Sequence, residues 1–147
     1  MAKKNIIVVY TFLLILFFDQ MTKFLIKKNF QLGQSVPVIK DTFHITYVTN
    51  TGSAFGLFRG FNVFLIFFSV IVIFIIFYFL WKIKNNDRLL QLALGLLLGG
   101  TLGNLIDRLF YGSVTDFIDF RIWPVFNVAD SAVSVSVFLL IILMWEK

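Results

Sequence analysis

Five of the eight acidic residues lie within or beside long apolar segments, which is a costly place for a carboxylate. They are Asp19, Asp107, Asp116, Asp119 and Asp130. Because burial of a charge in or near hydrocarbon is expensive, each of them is a candidate for function. The other three acids, Asp41, Asp87 and Glu146, fall in predicted loops or at the terminus, where an ordinary solvated charge explains them.

Two carboxylates close together in a poorly solvated site cannot both ionise cheaply, so one pKa rises and the pair shares a proton. Such a pair can take a proton from water and give one to a carbonyl oxygen or a leaving amine. The chain has no cysteine and one histidine, His44, which we interpret as a solvated strand residue. We therefore expect hydrolysis by an aspartate pair with no metal and no cofactor, although proton transport in a membrane would also use acids.

The composition predicts an integral membrane protein. Of the 147 residues, 59% are hydrophobic, 20 are Phe, and the mean hydropathy is +0.91. A soluble domain of this length cannot bury that much apolar surface, so the excess must face lipid. The net charge of +5 fits anionic lipid headgroups better than nucleic acid, and we expect no nucleic-acid partner.

The apolar segments predict an all-α membrane fold of four transmembrane helices in one domain, residues 1–147. The predicted spans are residues 5–27, 61–81, 89–109 and 126–145. The first span lacks a small-residue cleavage site, so we interpret it as a retained helix rather than a cleaved signal peptide. Residues 28–60 contain Pro37 and a β-rich stretch from His44 to Thr49, which predicts a small β-rich element on the extracytoplasmic membrane surface between helices 1 and 2.

Alternating helix directions bring most of the apolar-segment acids to one face of the membrane. Asp19 lies near the end of the first span, and Asp107 and Asp116 are expected at the end of the third. Asp130 lies near the start of the fourth span, which returns from the same face. These four acids should therefore converge beneath the segment 28–60, which we expect to act as a lid.

The charges of the loops encode orientation only weakly. Lys82, Lys84 and Arg88, with the terminal lysines, place both termini in the cytoplasm by the positive-inside rule. The first loop argues the other way, because it contains Lys27, Lys28, Lys40 and Arg59. We predict cytoplasmic termini and a site toward the extracytoplasmic face.

Five sequence blocks carry a resemblance to a known family. The blocks are Asp19-Gln20 with Lys23, residues 50–56 (NTGSAFG), 99–108 (GGTLGNLIDR), 114–117 (VTDF) and 126–131 (FNVADS). In this order, and over essentially the whole chain, they resemble the signature of lipoprotein signal peptidase (signal peptidase II), a family of bacterial membrane aspartyl peptidases. Each block alone is weakly specific, whereas five in order within a four-span chain are highly specific.

The resemblance implies a function and a location. Members of the family remove the signal peptide from diacylglyceryl-modified prolipoproteins, just before the lipidated cysteine. The implied partners are a lipid-modified prolipoprotein and membrane lipids, in the bacterial cytoplasmic membrane. The resemblance also implies inhibition by cyclic peptide antibiotics that mimic the signal peptide.

The resemblance also implies roles for individual residues. The catalytic dyad falls on Asp116 and Asp130, joined by a connection shorter than is usual in the family. Substrate-binding positions fall on Asn50, Gly52, Asn104, Arg108 and Asn127. Positions that support the structure fall on Asp19, Lys23, Asp107 and Ala129.

Simpler roles compete with these assignments. Asp130 could complement a helix dipole, and Asn127 could cap the fourth helix. Asp119 is the rival of Asp116 for the dyad, and Lys23 could snorkel to the headgroups. Asp107 lies three residues from Asn104 on one helix face, which suits a buried polar network with Asn104 or Arg108.

Two other functions compete with hydrolysis. An ion-coupled transporter would use the same acids, but it predicts internal repeats and a site at the membrane midplane, whereas these acids lie at span ends. A non-catalytic assembly factor would explain the apolar helices and the glycines of the third span. It leaves the converging aspartates and their neighbouring asparagines without a role.

Overall fold

The computed structural model describes residues 5–52, 62–82 and 87–145, which form four helices and three strands. In chain order these are α1 Ile6–Asn29, β1 Ser35–Ile39, β2 Phe43–Asn50, α2 Asn62–Lys82, α3 Arg88–Tyr111, β3 Val114–Asp119 and α4 Val128–Trp145. All four helices are long and apolar enough to cross a membrane, which confirms the four predicted spans. Residues 53–60 of the predicted surface element lie outside the described residues.

The helix ends follow local sequence signals. Asp87 caps α3 by accepting a hydrogen bond from the backbone N–H of Leu90 at 3.1 Å. Gly112 ends the same helix in the left-handed conformation (φ +71°), and its N–H donates to the carbonyl oxygen of Arg108. Glycine adopts this conformation without the steric cost of a Cβ, so α3 stops there and the chain turns into β3.

Helix α3 lies at the centre of the bundle, packed between α1 and α4. Glycines let the backbones approach: a Cβ at Gly95 would lie 2.8 Å from the Cβ of Thr11 on α1. On the other side, a Cβ at Gly100 would lie 2.5 Å from the carbonyl oxygen of Ala129 on α4. The outer helices therefore expose their large apolar side chains, such as Phe67 of α2, toward the lipid.

The small sheet has the order β1-β2-β3, and both pairings are antiparallel. Strands β1 and β2 lie between α1 and α2, as predicted for the surface element. The third strand comes from the connection between α3 and α4, and it pairs Asp116 with Val48 and Asp119 with His44. Asp116 is therefore on a strand and not at the end of the third span, so that part of the prediction is wrong. The six residues of β3 (VTDFID) do not alternate strictly between apolar and polar, so periodicity does not identify the strand, and it forms by pairing with β2.

Candidate active site

The acids converge at one end of the bundle, as alternating helix directions predicted. The carboxyl-terminal ends of α1 and α3, the amino-terminal end of α4 and the sheet meet there. Between them lies a cavity of about 540 Å³. Its polar lining consists of Asn50, Arg108, Asp116, Asp130, Ser131 and Ser134. Two cavities elsewhere among the described residues have almost wholly apolar linings and contain no carboxylate.

Asp116 projects from β3 into this cavity and is 2% exposed. Its Oδ1 accepts a hydrogen bond from Nδ2 of Asn127 at 2.6 Å, and its Oδ2 accepts one from Nδ2 of Asn50 at 3.2 Å. Burial raises the pKa of Asp116 to about 7, and the nearby charge of Asp130 adds to the increase, although both amides oppose it. Near neutral pH, this carboxyl can therefore hold a proton and release it.

Asp130 lines the same cavity from the first turn of α4. Its Oδ2 accepts a hydrogen bond from the backbone N–H of Asn127 at 3.2 Å, and its own N–H donates to Oδ1 of Asn127 at 2.9 Å. This reciprocal pair is a capping box, so the carboxylate is held in place by the start of the helix. Its Oδ1 accepts from Nδ2 of Asn104 at 2.7 Å.

Asn127 therefore contacts both aspartates, and it is fully buried. Its Nδ2 also lies 3.1 Å from Oδ1 of Asn104 and 3.2 Å from the carbonyl oxygen of Thr115. The sequence left capping of α4 and a role in the site as alternatives for Asn127, and this one side chain both caps α4 and contacts the two aspartates. Its position sets the relative position of the two carboxylates.

Asn50 at the end of β2 and Gly52 just after it line one side of the cavity. The backbone N–H of Gly52 donates to Oδ1 of Asn50 at 2.9 Å, which orients the amide toward Asp116. Arg108 donates from Nη2 to the carbonyl oxygen of Gly52 at 3.3 Å. Its buried Nε has no hydrogen-bond partner within the described part of the chain, so a donor remains for a bound molecule.

A second layer of polar residues lies beneath the cavity, around Lys23. The ammonium group is 2.8 Å from Oδ2 of Asp19, 2.9 Å from Oδ1 of Asn104 and 3.6 Å from Oδ2 of Asp107. Lys23 is 1% exposed, so the alternative in which it snorkels to the headgroups is wrong. The carboxylates on two helices hold the ammonium inside the bundle.

The two acids of this layer also bind backbone. Oδ1 of Asp19 accepts from the N–H of Ala129 at 2.9 Å, which ties α1 to the start of α4. Oδ2 of Asp107 accepts from the N–H of Thr115 at 2.9 Å, which ties α3 to β3. The buried polar network predicted for Asp107 with Asn104 or Arg108 forms through Lys23, whose ammonium contacts both Asn104 and Asp107, and it extends to the backbone of β3. Oδ2 of Asp107 lies near Lys23, and its Oδ1 is 3.8 Å from Nζ of Lys27.

Asp119, the rival for the dyad, lies apart from the cavity. Its Oδ2 accepts from the hydroxyl of Thr46 at 2.7 Å and forms an ion pair with Arg121 at 3.0 Å. Burial alone would raise its pKa, but these hydrogen bonds outweigh burial and keep the pKa below its usual value. A carboxylate held ionised by its own partners has no free oxygen to activate water.

Several lining residues were not singled out from the sequence. Trp123, Pro124, Val125 and Phe126 form an apolar wall between β3 and α4. Ser134 lines the cavity one helical turn after Asp130, so helical spacing could have identified it. The wall carries no comparable signal, because a loop has no periodicity.

Comparisons with known proteins agree with this geometry. A family model described as signal peptidase (SPase) II matches residues 11–146. The chain is 44% identical over 135 residues to the lipoprotein signal peptidase of Halothermothrix orenii, covering 92% of each chain. It is 54% identical over 127 residues to that of Desulfitobacterium hafniense, covering 86% of this chain and 84% of the relative. It is 46% identical to that of Bacillus subtilis, covering 90% and 88%.

Two solved structures have the same fold. One, described as a bacterial membrane enzyme at 2.3 Å resolution, has a TM-score of 0.89 and 35% identity over 95% of this chain and 87% of that one. The other, at 1.9 Å, has a TM-score of 0.85 and 36% identity over 93% and 91%. A family match over nearly the whole chain, with this fold, identifies a multi-pass bacterial membrane protein. The chain belongs to the signal peptidase II family of aspartic-type membrane peptidases.

Proposed function

We propose that this enzyme removes the signal peptide from diacylglyceryl-modified prolipoproteins, cutting just before the lipidated cysteine. Asp116 and Asp130 act as a dyad that activates water. The observation that carries this proposal is that the buried carboxylate of Asp116 and the half-buried carboxylate of Asp130 line one cavity and both bind Asn127. The lipoprotein signal peptidase relatives supply the class of substrate.

The surroundings of the two aspartates favour one as the base and the other as the acid. Both aspartates accept hydrogen bonds on both oxygens, but only Asp130 also lies at the positive end of α4, which favours its ionised form and suits a carboxylate that receives a proton. Asp116 lies deeper against the sheet, and its raised pKa lets it hold the shared proton. We therefore assign Asp130 as the base and Asp116 as the acid, within a pair that titrates jointly.

The proposed reaction proceeds in two steps, each with two proton transfers. Asp130 takes a proton from water while the water oxygen bonds to the scissile carbonyl carbon, and Asp116 gives its proton to the carbonyl oxygen. The tetrahedral intermediate then collapses: the carbon–nitrogen bond breaks, the hydroxyl proton returns to Asp116, and Asp130 passes its proton to the leaving amine. The products are a free signal-peptide carboxyl group and the amine of the lipidated cysteine, and the dyad regains its starting charge.

The remaining cavity residues suit an extended peptide and a lipid. The unpaired Nε of Arg108 and the amide of Asn50 can bind backbone carbonyls near the scissile bond. The wall of Trp123, Val125 and Phe126 offers an apolar surface to the acyl chains or to the signal peptide. A cyclic peptide that mimics the signal peptide would occupy the same space and compete with substrate.

We further propose that residues 1–147 act as one membrane domain with both termini in the cytoplasm. The site then faces the extracytoplasmic side, where a translocated prolipoprotein presents its cleavage site. The support is that the sheet and the acids share one end of the bundle, while Lys82 at the end of α2 and Arg88 at the start of α3 lie at the other.

The test is conversion of a purified, lipidated prolipoprotein by the detergent-solubilised enzyme, followed by a size shift and by mass spectrometry of the new amino terminus. We expect wild type and Asp119→Asn to convert the substrate and Asp116→Asn to fail. An unlipidated prolipoprotein should not be cut. Cleavage at a bond other than the one before the lipidated cysteine, or turnover by Asp116→Asn, would contradict the proposal.

A further inference from the structure

Two hydrogen-bond donors on the oxygen side fix the orientation of the side-chain amide of Asn104. Its Oδ1 accepts a hydrogen bond from the ammonium of Lys23 at 2.9 Å and faces Nδ2 of Asn127 at 3.1 Å. Its Nδ2 is then the only end that can face Asp130, to which it donates at 2.7 Å. An ammonium group is only a donor, so Lys23 excludes the flipped amide, which would direct Nδ2 at another donor.

Lys23 also sets the charge around the dyad. Among the described residues, the ionisable groups that interact with the two aspartates or with Lys23 are Asp19 and Lys27 on α1 and Asp107 and Arg108 on α3. Asp119 on β3 is neutralised by Arg121. The three cations balance Asp19, Asp107 and one further negative charge. The cluster is therefore neutral when Asp116 and Asp130 together hold a single proton, which is the state that hydrolysis requires.

We propose that Lys23 is a positioning residue of the catalytic dyad: its buried ammonium orients Asn104 toward Asp130 and keeps the aspartate pair in its singly protonated state. This inference rests on the dyad of the proposed function. It assigns to Lys23 an effect on the reaction in addition to its ion pair with Asp19. Lys23 reaches the reacting carboxylates only through Asn104 and through its charge.

The direction of the charge effect follows from electrostatics. A nearby cation stabilises a carboxylate, and Lys23 lowers the pKa of Asp116 against the upward effect of burial. Without that charge the pKa of Asp116 rises further, so its protonated form persists to a higher pH. The pH profile of kcat/KM should therefore move to higher pH.

Three substitutions of Lys23 separate the effect of its charge from its effect on the orientation of Asn104. Lys23→Gln retains an N–H donor for Asn104 and removes the charge, whereas Lys23→Arg retains the charge. We expect the kcat/KM profile of Lys23→Gln to move to higher pH, and that of Lys23→Arg to stay at the wild-type position. In Lys23→Met, which lacks both features, kcat should fall by about 10- to 100-fold because Asp130 loses its fixed donor. KM for the lipidated prolipoprotein should change little in all three variants.

Asp19 and Asp107 lose a counter-ion in the neutral variants, so folding is checked by thermal unfolding in detergent. If Lys23→Gln does not fold, the double variant Asp19→Asn/Lys23→Gln replaces it, because the asparagine side chain at position 19 keeps an oxygen for the N–H of Ala129. In that variant the ammonium and one acid are removed together, so the cluster stays neutral. Its profile should remain near the wild-type position, while kcat should still fall in the matching Asp19→Asn/Lys23→Met variant.

A folded Lys23→Gln or Lys23→Met with an unchanged pH profile and unchanged kcat would overturn the inference. Equal losses of thermal stability and activity in Lys23→Gln and Lys23→Arg, with superposed profiles, would do so as well, because that is the pattern of a purely structural ion pair. Asp116→Asn is measured alongside. If it is inactive, a negative result at Lys23 refutes only this inference, and if it is active, the proposed dyad itself fails.

Discussion

Asn127 and Asp130 cap α4 reciprocally: the N–H of Asn127 donates to Oδ2 of Asp130 at 3.2 Å, and the N–H of Asp130 donates to Oδ1 of Asn127 at 2.9 Å. A capping box normally serves only to satisfy the free N–H groups at a helix start. Here its acidic member lines the cavity and its amide member extends to Asp116. The helix terminus therefore fixes one carboxylate and, through Asn127, its distance from the other.

Replacing either aspartate of the dyad by asparagine should abolish cleavage, since an amide can neither take a proton from water nor give one to a carbonyl. We expect Asp116→Asn and Asp130→Asn each to lower kcat by roughly 100- to 10,000-fold. The double variant should be scarcely worse, because residues that act as a unit are not additive. The fraction of lipidated prolipoprotein converted by each folded variant is the measurement.

The matched control for the dyad is Asp41→Asn. Asp41 is exposed and adopts φ +58°, a left-handed conformation that asparagine tolerates well. This variant should retain wild-type turnover. Multiplicative losses in the double dyad variant would show that the two aspartates act independently.

The activity should decline at alkaline pH as Asp116 loses its proton. Since the pKa of Asp116 is raised to about 7, the protonated form required for the first step is present below that pH and is lost above it. The profile of kcat/KM against pH, measured with the lipidated substrate, should therefore have an alkaline limb with a midpoint at about 7. Full activity maintained to about two pH units above that midpoint would mean that Asp116 does not act as the acid.

Asn50→Ala should impair cleavage and shift that alkaline limb upward. The amide of Asn50 donates to Asp116 and lowers its pKa, so its removal leaves the proton more tightly held. We expect lower kcat/KM, a limb at higher pH and normal thermal unfolding. A limb at the wild-type position with normal turnover would remove Asn50 from the site. The segment 28–60 was also predicted to act as a lid. Residues 53–60 of that segment lie outside the described part of the chain.

Asp107→Ala should destabilise the protein as well as inactivate it. The change leaves the N–H of Thr115 without its acceptor and removes one counter-ion of the Lys23 ammonium in a buried place. Breaking a buried ion pair costs about 3–5 kcal/mol, which a thermal unfolding scan in detergent would detect. Asp107→Asn keeps an oxygen for Thr115 and should lose less. A normal melting temperature in an inactive Asp107→Ala would instead place Asp107 in the catalytic machinery.

Chelators should leave cleavage unchanged, because the proposed chemistry uses two carboxylates and water. Within the residues that the structure describes, no group of three or more His, Asp or Glu side chains is arranged to hold a metal ion. The measurement is turnover after incubation with EDTA and after dialysis. Loss of activity that a divalent ion restores would contradict the aspartyl mechanism.

The amino-acid sequence by itself determined the four spans and the end of the bundle at which the acids gather. An apolar run of about 20 residues crosses hydrocarbon whatever its neighbours are, and spans that alternate in direction bring Asp19, Asp107 and Asp130 to one side. The capping role of Asn127 is local too, since it depends on residues three apart. Hydropathy, alternation and capping are properties of short segments, so they can be predicted from sequence.

Only the tertiary structure decided which polar groups meet. Lys23 and Asn104 are 81 residues apart, and Asn50 and Asp116 are 66 apart. For the same reason, Asp116 was wrongly predicted at the end of the third span, and the contacts of Asp107 with Lys23 and with the backbone of Thr115 were not predicted. These contacts depend on how closely the helix backbones approach at glycines such as Gly100 and on strand pairing across the bundle. A buried ammonium or carboxyl takes whichever partner that packing brings within about 3 Å, because leaving it unpaired in a low-dielectric interior costs more than any local preference.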